Sequence, residues 1–76
     1  MAGIHLEKID REDNCFRYYE ISLEDNLFGD RSLVVRWGRI GRLGRERIAA
    51  SGSGQSLALM ASRLTQSKLK RGYVEA

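Results

Sequence analysis

Residues 32–50, SLVVRWGRIGRLGRERIAA, decide the fold of this 76-residue chain. The stretch opens with branched and aromatic residues up to Trp37, and it closes with a second strand-like run from Arg45 to Ala50. Between the two runs lie Gly38, Gly41 and Gly44, a spacing that permits a tight hairpin with positive φ angles. The pattern therefore predicts two antiparallel strands joined by a glycine-rich turn.

Two further strands are predicted before this hairpin. Ile4 and Leu6 alternate with polar residues and are followed by a polar turn. Residues 15–23 are rich in aromatic and branched side chains, which is typical of a longer strand. The loop that follows has an apolar centre, Leu27 and Phe28, which we expect to fold back over the edge of the core.

After the hairpin, the apolar residues change to a helical period. With successive residues about 100° apart, one helix face carries Leu57, Met60, Ala61, Leu64 and Lys68. Ser51 or Ser53 is a candidate N-cap, and Gly72 is well placed to end the helix. A small sheet and one amphipathic helix can bury their apolar sides only against each other. The expected fold is therefore a single α+β domain over residues 1–76, with its core at about 4–74: a four-stranded antiparallel meander with a C-terminal helix packed across it.

The charge of the chain is unevenly distributed. Hydrophobic residues make up 42% and charged residues 30%, an ordinary globular balance, and the net charge is +3. Residues 1–30 carry three basic against eight acidic side chains, a net charge of −5, whereas residues 31–76 carry ten basic against two acidic ones, a net charge of +8. Ten of the thirteen cations are arginine, which suits bidentate contacts with phosphate or carboxylate. This composition predicts an acidic partner; the acidic first part could serve a basic partner or keep nucleic acid off the wrong face.

Catalysis and cofactor binding are poorly supported. His5 and Cys15 could act as base and nucleophile only if the fold joined them, and a lone cysteine at a strand start is more often a packing residue. One cysteine and one histidine cannot build a metal cage, and the glycines match neither G-x-G-x-x-G nor a G-K-S/T loop. The longest apolar run, residues 57–61, is too short to span a membrane, and residues 1–10 lack the apolar core of a signal peptide. We expect a cytoplasmic non-enzyme with no cofactor, no metal, no small-molecule substrate and no membrane partner.

The candidate binding residues surround the glycine-rich turn. Trp37 could offer a flat ring to a base or sugar, but it shares strand alternation with Leu33 and Val35 and could equally pack in the core. Lys68 lies on the apolar helix face, so its amine could either join the phosphate site or reach solvent at the helix end. The cations predicted to contact phosphate are Arg36, Arg39, Arg42, Arg45, Arg47, Lys68, Lys70 and Arg71.

The string Trp37-Gly38-Arg39-Ile40-Gly41 resembles the signature of the WGR domain family. Other parts of the chain extend the likeness: residues 14–21 resemble the family's asparagine-then-aromatic second strand, residues 25–29 with Leu33-Val34 its loop into the signature strand, and residues 68–73 its lysine-rich, glycine-tyrosine ending. The resemblance covers roughly residues 4 to 74. It assigns a structural role to Gly38, Gly41, Gly72 and Tyr73.

The resemblance implies a fold and a function. The fold is a small antiparallel sheet with one helix packed on it. In DNA-damage-activated poly(ADP-ribose) polymerases, a domain of this type contacts DNA near a strand end, where its signature tryptophan stacks on the terminal nucleotide and its signature arginine relays binding to neighbouring domains. By this likeness Trp37 would stack, and Arg39 would contact phosphate or a partner protein. The chain looks like small bacterial relatives that are little more than this domain.

The sequence thus predicts a non-catalytic nucleic-acid-binding module, for DNA more than RNA. The alternative is a protein-interaction module that uses the same basic strip against an acidic partner.

Overall fold

The predicted strands pair in chain order because each is joined to the next by a short turn. The computed structural model describes residues 3–27 and 29–76. Its elements are β1 (Gly3–Asp10), β2 (Cys15–Asp25), β3 (Arg31–Arg39), β4 (Arg45–Gly52), the helix α1 (Gly54–Lys70) and β5 (Val74–Glu75). The sheet is antiparallel with strand order β4-β3-β2-β1-β5, and α1 packs on it. The predicted α+β meander is confirmed, and β5 adds a fifth strand too short to show any period in the sequence.

The pairing register divides the sheet into a helix face, on the side of α1, and an outer face. Directly paired residues point to the same side of an antiparallel sheet. The helix face holds the buried core, in which Leu57 of α1 packs against Leu6, Tyr19, Ile21, Leu33 and Val35. The outer face carries polar side chains, among them His5, Glu7, Glu20, Glu24, Arg36 and Glu46. The sheet therefore has one apolar and one mainly charged side, as antiparallel sheets commonly do.

Both ends of α1 have defined caps. Of the two candidate N-caps, Ser53 takes the role, since its hydroxyl accepts a hydrogen bond from the Ser56 amide at 3.3 Å. At the other end Gly72 adopts a φ of 97°, its amide donates to the Leu69 carbonyl, and the Tyr73 amide donates to the Lys68 carbonyl. This pair of bonds is a Schellman motif, which needs glycine at the left-handed position. The motif turns the chain so that Tyr73 returns to the side of Lys68.

Two packing expectations are wrong. Leu27 does not cover the core: it is 98% exposed, because hydrogen bonds between Asn26 and Asp30 close a tight turn that carries Leu27 away from the sheet. Its predicted companion, Phe28, lies outside the described residues. Met60 is exposed because it lies about 60° around the helix from Leu57, at the margin of the packed face.

The three glycines of the β3–β4 hairpin have different roles. Gly41 alone of the three adopts a positive φ, 84°, so the expectation of positive angles holds only there. Gly38 and Gly44 instead allow two backbones to meet: a Cβ on Gly38 would lie 2.8 Å from Gly44 Cα. A Cβ on Gly44 would collide with the Trp37 carbonyl and the Tyr18 hydroxyl. The base of this hairpin is therefore packed as tightly as a core.

Residues 3–27 and 29–76 contain no helix that is long and apolar enough to cross a membrane. Within the same residues, no three His, Cys, Asp or Glu side chains gather in a way that could hold a metal ion. His5 pairs across the sheet with Glu20, and Cys15 lies five residues away along β2, or about 17 Å. The fold thus keeps His5 and Cys15 apart.

Candidate nucleic-acid interface

An open groove occupies the part of the helix face that α1 leaves uncovered. It measures about 590 Å³, within the usual range of ligand sites. We call it the basic groove; its aromatic and cationic lining consists of Phe16, Tyr18, Tyr19, Trp37, Tyr73, Arg17, Arg39, Arg47 and Lys68. Among the described residues that line it, none is aspartate or glutamate. The groove therefore combines ring faces with uncompensated positive charge.

A row of three cations crosses the sheet at the end of the groove. Lys8 of β1 pairs with Arg17 of β2, and Arg17 pairs in turn with Arg39 of β3. Neighbouring strands lie about 4.8 Å apart, so this cationic row spans about 10 Å. Like charges directly opposite each other destabilise a sheet. Such a row concentrates positive charge at one end of the sheet, and an anion lying across it would offset the repulsion.

Trp37 contributes to both the core and the groove. It pairs with Tyr19 on one side and Arg45 on the other, packs against the buried cluster and stays half-buried. Burial raises the pKa of the Tyr19 hydroxyl, and the positive charge of Arg47 partly opposes that rise. The two interpretations of Trp37, core residue and exposed ring, are thus combined in one side chain.

Neighbouring groups hold the Arg39 side chain in one orientation. Its guanidinium N–H groups donate to the Asn14 carbonyl at 3.5 Å and to Asn14 Oδ1 at 3.3 Å. The same guanidinium lies 5.2 Å from the centre of the Phe16 ring. Asn14 reaches this position from the β1–β2 turn with a φ of 51°, which asparagine tolerates better than most residues. A guanidinium has five N–H groups, so several stay available to a ligand.

Lys68 extends from α1 into the groove. Its Nζ lies 4.3 Å from the centre of the Tyr19 ring and 5.6 Å from that of Tyr73. Burial lowers the pKa of the Lys68 amine, and the charge of Arg71 lowers it further. The geometry places the Lys68 amine over two rings that line the same groove as Trp37.

Arg36 lies on the opposite side of the sheet from the groove. It forms ion pairs with Glu24, at 3.0 Å, and with Glu46. Hydrogen bonds to Glu46 and then Glu24 raise the pKa of Arg36, while bonds from Ser22 and then Arg36 lower the pKa of Glu24. Two carboxylates therefore balance its charge, and strand alternation separates Arg36 from its neighbour Trp37.

The other predicted cations lie around the groove or apart from it. Arg45 is exposed beside Trp37 on the helix face, and Arg42 is exposed in the hairpin turn. Lys70 and Arg71 line a separate hollow of about 420 Å³ on α1. The sequence interpretation missed Lys8 and Arg17, although each shares strand alternation with a core residue. Only the pairing register reveals that Lys8 lies beside Arg17 and that Arg17 lies beside Arg39.

Comparisons with known proteins show what the chain is similar to. The model of the WGR domain family matches residues 3–76. The chain is 39% identical over 70 residues to the uncharacterized protein y4dW of Sinorhizobium fredii (strain NBRC 101917 / NGR234), an alignment that covers 92% of this chain and 34% of that protein. The chain thus spans about a third of the length of the curated relative that it matches. No solved structure matches it.

Proposed function

The chain belongs to the WGR domain family, and from that premise we propose that it is a non-catalytic module that binds DNA through the basic groove. Domains of this family are binding domains associated with nucleic acid in poly(ADP-ribose) polymerase-like proteins. One observation carries the proposal: the cationic row of Lys8, Arg17 and Arg39 adjoins a groove with aromatic walls and no carboxylate among its described lining. Phosphates relieve the repulsion within the row, and the rings accept a base or sugar.

The proposed contacts divide by chemistry. The row, with Arg47 and Lys68, contacts phosphates and supplies affinity that does not depend on sequence. Trp37 stacks on a nucleotide face, which only a strand end or a frayed nucleotide exposes, because bases inside a duplex already stack on each other. The carboxylates of the outer face repel DNA from that side, so the domain binds in one orientation.

The first test separates the two faces of the sheet. Fluorescence anisotropy with duplex DNA at two salt concentrations should give a log–log salt slope of about −4 to −5 for four to six phosphate contacts. Arg47→Gln should weaken binding and reduce the slope by about 1. Arg36→Gln removes the same charge from the outer face and should leave affinity and slope unchanged. Absence of binding at low salt, or a flat salt response, would instead favour an acidic protein as the partner.

The second test addresses Trp37. Linear or nicked DNA should bind more tightly than covalently closed circles of the same length. Trp37→Leu retains apolar bulk against the core and removes the aromatic face, so it should abolish this preference and leave salt-sensitive binding. Arg39→Ala should weaken all DNA forms alike. If closed circles compete as well as linear DNA for the unaltered protein, Trp37 has only its core role.

A further inference from the structure

The tip of the β3–β4 hairpin presents a leucine directly to solvent. Leu43 is fully exposed at the turn that follows Trp37 and Arg39. Every charged residue from position 39 to 45 is an arginine: Arg39, Arg42 and Arg45. A single exposed leucine is unremarkable by itself. The arginines around it favour contact with an anionic surface.

The hairpin base holds this leucine on a rigid support. The Arg42 amide donates to the Arg39 carbonyl at 3.1 Å, and the Ile40 amide donates to the Phe16 carbonyl of β2 at 2.8 Å. Gly44, next to Leu43, lies so close to the Trp37 carbonyl and the Tyr18 hydroxyl that no Cβ fits there. Because the tip is fixed on both sides, little conformational freedom remains to be lost when it binds.

A second exposed leucine provides an internal comparison. Leu27 is 98% exposed in the β2–β3 turn, at the other end of the sheet from Leu43. The charged residues next to it are Asp25 and Asp30, and Arg31 is already paired with Asp25 at 3.3 Å. The two tips thus present the same side chain in opposite electrostatic settings. Only the Leu43 tip can approach a polyanion.

We propose that Leu43 is a wedge that enters the base stack of DNA where the stack is interrupted, at a nick or a strand end. The proposal rests on the proposed function, because the basic groove must first hold the DNA backbone. Apolar side chains flanked by cations enter base steps in this way in proteins that bend DNA. An interrupted step is the cheapest place to enter, since one side has no continuous backbone to restrain it. A lipid surface fits less well, since one leucine offers too little apolar area for membrane anchoring.

The test uses a nicked duplex with 2-aminopurine beside the nick, whose fluorescence rises when the base unstacks. The unaltered protein should raise this signal. Leu43→Ala should abolish the rise and weaken binding to nicked DNA about tenfold, the loss expected from removing a buried leucine side chain. Its affinity for closed circular DNA and its thermal midpoint should stay unchanged. Leu43→Met should retain the signal, and Leu27→Ala should behave as the unaltered protein.

The outcomes separate the wedge from the DNA-binding function. If the unaltered protein binds DNA and Leu43→Ala matches it in affinity and fluorescence, the wedge is refuted and the proposed function stands. If the unaltered protein binds no DNA, both fail. If Leu43 affects binding to phosphatidylserine vesicles but not to nicked DNA, the tip is a membrane contact and the wedge is likewise overturned.

Discussion

Gly38→Ala should destabilise the domain, although it places an alanine where the backbone has no positive φ. The added Cβ would lie 2.8 Å from Gly44 Cα, and the next contact, with Tyr18, is acceptable at 3.4 Å. Carbon atoms pack at about 3.5–4.0 Å, so the two hairpin strands must separate by about 1 Å. Forced overpacking costs about 1–3 kcal/mol, and the reduced entropy of the unfolded chain returns about 0.4–1 kcal/mol.

The net result should be a loss of about 1–2 kcal/mol in the free energy of unfolding. For a domain of this size each kcal/mol moves the thermal midpoint by about 4–8 °C. Gly54→Ala is the matched control, because its Cβ would meet only the Arg31 side chain at an ordinary 3.6 Å. Since alanine also favours the helix, this variant should melt a few degrees higher than the unaltered protein. Thermal melts followed by circular dichroism measure both shifts.

Gly38→Ala should also weaken DNA binding. Gly38 separates Trp37 from Arg39, so opening the hairpin displaces both from the groove, and DNA affinity should fall further than the unfolded fraction explains. If Gly38→Ala proves as stable as Gly54→Ala, the close approach of Gly38 and Gly44 is not what requires glycine in the signature.

Three further predictions concern side-chain contacts. Lys68→Met keeps the packed stem and places a sulfur atom near the Tyr19 and Tyr73 rings, so its free energy of unfolding at neutral pH should stay within about 1 kcal/mol of that of the unaltered protein. Because the variant lacks the charge, the log–log salt slope of DNA binding should weaken by about 1. Because burial lowers the pKa of Lys68 in the folded state, the unaltered protein should gain stability as pH rises from the folded to the unfolded pKa of this amine. Melts across this alkaline range should show no such gain in the variant. The hydrogen bond from Ser22 and then the contact with Arg36 hold the pKa of Glu24 below its ordinary value of 4.5, so these contacts contribute stability above that pH that is lost as pH falls through the folded pKa. Glu24→Gln should therefore flatten the acid side of the stability curve, and an unchanged acid midpoint would contradict this. Asn14→Gly keeps the left-handed turn but removes the hydrogen bond from Arg39 to Asn14 Oδ1, so DNA affinity should fall while stability holds. Asn14→Ala should lower stability as well, because alanine is strained at a positive φ. Equal melting temperatures for the two variants would contradict a role of the positive φ in stability.

Local patterns were sufficient for most of the fold. The period of two in the strands, the period of 3.6 in the helix and the position of Gly72 each arise within a few neighbouring residues. The sequence therefore predicted four of the strands, the helix and its C-terminal stop. It was wrong about Leu27, because the turn depends on a hydrogen bond that the Asn26 side chain accepts from the Asp30 amide, which hydrophobicity does not reveal.

The candidate site depended on tertiary structure. Sequence alone determined that arginines cluster around Trp37 and that the chain carries the WGR signature. It could not separate Arg36 from Arg39, because residues an odd number of positions apart in a strand face opposite sides, and which side matters depends on where the helix packs. Nor could it predict that Lys8 and Arg17, from the acidic first part of the chain, lie in one row with Arg39. This arrangement depends on the pairing register, which joins residues that are distant in sequence. The cationic row exists only after β1, β2 and β3 have paired.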